Sequence, residues 1–149
     1  MNVIDWKVVL IHILCYPIYQ ILGTIRHECS HAVACWLSGV RVKSIKVIPH
    51  RHEGSFYWGR IMYNMDDFHN FTVHICLAPY YVAVVHALAF GALGAYGVLE
   101  KIENPHLFAF VAMVLLISPI ADLLYNICKY LFKGSGDFAD AHEFIQYRR

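Results

Sequence analysis

The chain of 149 residues is 58% hydrophobic and only 15% charged, with a formal net charge of +1 and a mean hydropathy of +0.47. So few charges cannot clothe a water-soluble globule of this size, and so small a net charge gives no basis for binding nucleic acid. A lipid bilayer accounts for both, and the length is that of a single membrane-embedded domain, residues 1–149.

Three runs are long and apolar enough to cross a hydrocarbon layer of about 30 Å as helices: Val8–Ile25, Phe71–Leu99 and Pro105–Ala121, the last continuing past Asp122 to Cys128. The expected fold class is therefore mainly α and polytopic, with about three transmembrane helices. The first run is not expected to be a cleaved leader, because no small-x-small site ends it. Its helix can extend from Trp6 to Ser38, with Gly39 as a stop. That is roughly 50 Å at the usual rise, so the helix must tilt, emerge into water, or bend near Pro17 or Gly23.

Inside this helix stands Arg26-His27-Glu28-Cys29-Ser30-His31, a His-Glu-x-x-His pattern. Residues four apart on a helix share a face, so the imidazoles of His27 and His31 can grip one metal ion. Glu28, at the flank of that face, suits a carboxylate that orients and deprotonates a water beside the metal. In a chain with ten histidines the pattern alone is short, and context has to decide its meaning.

Val40–Ile48 and Ser55–Tyr63 are rich in β-branched and aromatic residues and read as a short β hairpin around His50-Arg51-His52-Glu53-Gly54. The alternation of the first strand slips phase at Ile45. His50 and His52 read as exposed turn residues beside Arg51. Asn64–Asn70 is a polar connector into the second span, which holds His74, Pro79 and His86; a histidine in a membrane helix is a functional candidate, though it can also hydrogen-bond within a bundle. All five cysteines (Cys15, Cys29, Cys35, Cys76 and Cys128) lie in apolar segments without paired spacing, so reduced thiols are expected.

After the loop Glu100–Asn104, Pro105 suits the first turn of a helix. The third span carries Ser118-Pro119-Ile120-Ala121-Asp122, and an aspartate facing lipid unpaired would cost several kcal/mol. Gly134-Ser135-Gly136 breaks the helix, and Asp137 is expected to cap a short amphipathic helix over Asp137–Glu143.

The hairpin and the C-terminal tail fall on one side of the membrane, with Arg41, Lys43, Lys46, Arg51, Arg60, Lys133, Arg148 and Arg149, against Lys7 and Lys101 on the other. The positive-inside bias predicts an integral membrane protein with its N-terminus outside and its hairpin and C-terminus cytosolic. Counted inward from the outer side, His27 and Asp122 reach similar depths and can meet. Two histidines and one aspartate supply three zinc ligands and leave a fourth position open, as catalytic zinc sites do. Asp137 is the rival third ligand. Asp122 is preferred because capping already accounts for Asp137, whereas Asp122 lacks another reason to be there. His142 and Glu143 are weaker candidates, and Asn126 is either an oxyanion donor or a buried amide bonded within the bundle.

These residues resemble the site-2 protease family of intramembrane zinc metalloproteases. The resemblance rests on His27, Glu28 and His31 in the first core helix, Ala78-Pro79 where the family tends to have Gly-Pro, and Pro119-Ile-Ala-Asp122 as its Pro-x-x-Asp. The order of elements agrees, with a hairpin after the first helix. Departures are Cys29-Ser30, where a Gly before the second His is common, Val82 in place of an Asn, and Leu123 in place of the Gly after the Asp; they bear on substrate positioning. The resemblance implies a compact three-span core, a zinc cofactor, and hydrolysis of a peptide bond in or near a transmembrane segment of a membrane-protein substrate. The residues alone also admit a non-catalytic membrane zinc-binding scaffold or regulator, and a membrane protein in which His27, His31 and Asp122 form only a buried polar cluster. Glu28 favours the enzyme.

Overall fold

The computed structural model describes residues 5–52, 55–64, 66–67 and 72–147. The chain opens with α1 (Trp6–Leu14), capped by the Asp5 carboxylate, which accepts from the Lys7 amide at 2.9 Å, and continues as α2 (Tyr16–Leu37). The first helix, for which a tilt, a bend near Pro17 or Gly23, or emergence into water was expected, is two helices bent by 57° at Cys15. Pro17 is the cause: it has no N–H for the Ile13 carbonyl and its ring crowds that carbonyl, so it is accommodated only in the first turn of α2. Two helices, Val73–Ala95 and Pro105–Lys133, are each long and apolar enough to span a membrane, and the bent pair makes a third if it counts as one span.

A narrow β ribbon follows. Strand β1 (Val42–Lys46) pairs antiparallel with β4 (Arg60–Tyr63), and β2 (His50–His52) pairs antiparallel with β3 (Ser55–Tyr57). The register shifts between Val42 and Ser44, just before the phase slip of the sequence at Ile45, which stays exposed. The hairpin is thus more broken than expected, with His50 in a strand; Glu53-Gly54 at its tip, and most of the Asn64–Asn70 connector, lie outside the described residues.

Helix α3 (Val73–Ala95) carries Pro79 in its interior. The chain then passes through a 3₁₀ turn, Leu99–Lys101, to α4 (Pro105–Ala112), whose first turn is capped by the Asn104 side chain. A π turn, Met113–Ile117, joins α4 to α5 (Ser118–Lys133). Its position follows from Pro119, which offers no N–H to the Leu115 carbonyl four residues back and so forces the helix to widen there. Gly134, at φ 58°, ends α5 in the left-handed region, and Gly136, at φ 93°, completes a reversal that sends α6 (Asp137–Tyr147) back against α3 and α5.

Two packing features position the site. Helices α2 and α5 approach closely at Gly23, where an added Cβ would lie 2.8 Å from Ser118 Oγ. His27 and Asp122 lie four residues further along each helix and also meet, so the two helices run parallel and bring one turn of each to a common depth. Beyond that depth, Cys35, Val40, Ile75, Cys76 and Ala141 form a buried cluster, backed by Tyr63 and Phe144. It ties the end of α2, the start of α3 and helix α6 together. All five cysteines are free thiols.

Candidate metal centre and active site

His27 and His31 lie one turn apart on α2, and each is fixed through its Nδ1. The His27 Nδ1 lies 2.8 Å from Asp122 Oδ2; a carboxylate accepts, so this nitrogen carries the proton. The His31 Nδ1 donates to the Ile75 carbonyl at 2.6 Å. That carbonyl is free to accept because Pro79, four residues on, has no N–H to close the helical bond. Both Nε2 atoms are therefore left as lone-pair donors, and they face each other 3.2 Å apart.

The third group at this point is Asp137. Its Oδ2 lies 3.0 Å from His27 Nε2 and 3.6 Å from His31 Nε2, and it accepts from the Tyr80 hydroxyl at 2.6 Å. Tyr80 also stacks on Phe138 with ring centroids 4.5 Å apart, so α6 is clamped to α3 next to its first residue.

His27, His31 and Asp137 form the one group of three or more potential metal ligands among the described residues. Tetrahedral zinc with bonds of about 2.0–2.1 Å sets its ligand atoms about 3.3 Å apart. The observed separations of 3.0, 3.2 and 3.6 Å bracket that value. Two imidazole lone pairs and a carboxylate cannot satisfy one another, and a cation at their centre would satisfy all three. The donor set fits zinc.

Asp122 is brought to the site but to the other nitrogen of His27. It lies outside the three-ligand group, in the place of a carboxylate that orients a metal-binding imidazole. Arg26 Nη2 stands 3.5 Å from its Oδ2, and Asn126 Nδ2 donates to its Oδ1 and to its backbone carbonyl. Asn126 is thus spent on its own helix and is no free oxyanion donor. Asp137 stands at the first position of α6 with its Oδ2 turned to Tyr80 and the two histidines, and no hydrogen bond of its side chain to an α6 amide is seen among the described residues. The reason for ranking Asp122 ahead therefore does not hold in the structure.

Glu28 is buried and lines a cleft of about 810 Å³ together with His27, His31, Asp122 and Asp137. The cleft is bounded by α2, α5, the Gly134–Asp137 reversal and β4, whose Arg60, Ile61, Met62 and Tyr63 all line it. The loop before β4 presses on the carboxylate: a Cβ on Gly59 would lie 2.6 Å from Glu28 Oε1 and 2.5 Å from Thr24 Cγ2. Any side chain there would have to displace Glu28 or Thr24.

His50, His74, His86 and His142 are engaged away from the metal centre, and the His52 side chain lies outside the described residues. His74 bonds the exposed Tyr81 hydroxyl, His50 the Ile48 carbonyl, and His142 lies against Tyr130 and Gln146. His86 bonds the Val82 carbonyl and stands at a separate cavity. Sequence reasoning did not single out Tyr80, Gly59 or the Pro79–Ile75–His31 relation. The last was legible in principle, since a proline inside an apolar helix always frees the carbonyl four residues before it.

Residues 3–124 match the family described as Peptidase M50B-like, across the His-Glu-x-x-His helix, the second span and the third as far as residue 124, Asp122 included. The chain belongs to this family. An M50B-like assignment places it with the site-2 protease type of membrane metallopeptidase. The matched region ends before Asp137, so the third member of the ligand group rests on the geometry of this chain alone. No curated protein and no solved structure matches the chain.

Proposed function

We propose that this M50B-like protein is an intramembrane zinc metalloprotease that hydrolyses a peptide bond in or near a transmembrane segment of a membrane-protein substrate. The observation that carries the reading is the convergence of His27 Nε2, His31 Nε2 and Asp137 Oδ2 at zinc-like spacing, beside a buried glutamate in an open cleft. His27, His31 and Asp137 would hold the metal, and Asp122 orients His27.

When bound, zinc supplies Lewis-acid polarisation of the scissile carbonyl and acidifies the attacking water. Glu28 takes the proton from that water and passes it to the leaving amine. Burial of Glu28 against Gly59 and Thr24 fixes the carboxylate for this transfer. A helical substrate must first unwind, because its carbonyls are otherwise engaged. Strand β4, which lines the cleft, can hold the unwound segment by edge pairing. Ile61→Pro should then impair cleavage while zinc stays bound; unchanged turnover removes that element.

The partners are a membrane-protein substrate and the bilayer. Lys43, Lys46, Arg60 and Lys133 at the metal-centre end, against Lys7 and Lys101 at the other, support a cytosolic hairpin and C-terminus with the N-terminus outside. Protease protection that found a C-terminal tag outside would reverse this orientation.

The test of the activity pairs wild type with Glu28→Gln on a panel of single-span substrates in vesicles, with zinc content measured in both. Zinc retained and cleavage lost in the variant is expected. Equal cleavage by the two proteins would refute the mechanism, and a wild type that binds zinc but cleaves no substrate in the panel would favour the scaffold reading.

A further inference from the structure

A second polar site lies behind the metal centre, on the side away from the hairpin. Between α2, α3 and the π turn is a cavity of about 80 Å³ whose polar lining is Tyr19, Arg26, His86 and Ser118. Arg26 reaches Asp122 with Nη2 at only 3.5 Å, and its Nε and Nη2 are both buried with no hydrogen-bond partner among the described residues. A guanidinium inside a membrane bundle cannot leave two donors unmet, since each such group costs kcal/mol rather than tenths. No described side chain is placed to meet Nε, and Nη2 has only the long 3.5 Å ion pair with Asp122.

The cavity has the size and the chemistry to meet them with water. One water needs only about 10–15 Å³ of this kind of volume and two to four polar partners. Arg26 offers donors, the Ser118 hydroxyl offers both roles, the Tyr19 hydroxyl offers the role its bond to His12 leaves open, and His86, whose Nδ1 is spent on the Val82 carbonyl, offers Nε2 as an acceptor. An anion is the weaker fit, because Asp122 already faces the Arg26 charge.

The polar line continues toward the opposite membrane face. Tyr19 is 4% exposed, its hydroxyl meets His12 Nδ1 at 2.5 Å, and the His12 ring lies 5.6 Å from that of the exposed His106. His12 Nε2 is again buried without a partner among the described residues. The same need for a partner thus recurs one step nearer the surface.

We propose that the cavity is a water-binding site inside the bundle, filled from the face opposite the hairpin along His106, His12 and Tyr19, and that its water solvates Arg26 where it faces Asp122. This holds whether or not the metal centre cleaves a substrate.

Radiolytic hydroxyl-radical labelling of the full, zinc-loaded chain in lipid nanodiscs tests it, because buried side chains beside bound water are labelled while dry ones are not. Tyr19 and His86 should be modified several-fold faster, after correction for intrinsic reactivity, than Cys35, which is fully buried in an apolar cluster. Val114→Phe, which fills the cavity from the π turn, should suppress labelling at both. Gly23→Ala, which intrudes on the same cavity at Ser118, serves if that variant does not fold. Labelling of wild-type Tyr19 and His86 as slow as that of Cys35 would overturn the proposal, and so would rapid labelling that filling the cavity leaves unchanged.

Discussion

Pro79→Ala separates stability from metal binding. In the wild type, the missing N–H at residue 79 leaves the Ile75 carbonyl to His31 Nδ1 at 2.6 Å, which fixes the tautomer that points Nε2 at the ligand group. Alanine restores the N–H and puts a second donor on that carbonyl. Removing proline from a helix interior recovers about 3 kcal/mol. Losing two buried ring methylenes at a position less than 2% exposed costs about 1.6 kcal/mol, at about 0.8 kcal/mol each. The variant should therefore be as stable as wild type or up to about 1.4 kcal/mol more so, while the weakened anchor on His31 lowers zinc affinity about tenfold, as loss of a partner behind a metal ligand typically does. Thermal unfolding of the zinc-free protein in detergent and chelator competition on the folded protein measure the two effects. Unchanged zinc affinity in a correctly folded Pro79→Ala would refute the idea that this proline serves the metal centre.

Three further variants probe neighbouring contacts. Gly59→Ala places a methyl 2.6 Å from Glu28 Oε1 and should abolish most cleavage while leaving zinc stoichiometric; full activity would show that the loop gives way freely. Tyr80→Phe keeps the stack on Phe138 but removes the hydroxyl that meets Asp137 at 2.6 Å, and should weaken zinc binding about tenfold in the same chelator competition. Pro17→Ala should relax the 57° bend between α1 and α2, read as a lengthened distance between spin labels at residues 6 and 36; an unchanged distance would assign the bend to packing instead.

Much of this fold was legible because its causes are local. Apolar runs mark the spans, and Pro105 marks a helix start. A bend near Pro17 or Gly23 was one of three expected ways to fit the long first helix, and the structure has it as a break at Cys15. The pairing of His27 with Asp122 followed from depth, since parallel helices that touch at Gly23 and Ser118 must touch again one turn on. What depth could not say is which nitrogen of His27 the aspartate meets. That depends on ring orientation, which depth along a helix does not determine. The return of Asp137 required the Gly134–Gly136 reversal to be traced in three dimensions, where two positive-φ residues turn the chain through an angle that no residue pattern encodes. The proximity of Gly59 to Glu28 is likewise a tertiary fact, because the ribbon folds back over α2.

The measurement that bears most directly on the account is zinc affinity in Asp137→Ala set against Asp122→Ala, both checked for folding. Asp137→Ala removes a ligand and should lose stoichiometric zinc. Asp122→Ala removes the group that orients His27 and should weaken binding only about 10- to 100-fold. Zinc lost in Asp122→Ala and kept at wild-type affinity in Asp137→Ala would contradict the assignment of His27, His31 and Asp137 as the metal site.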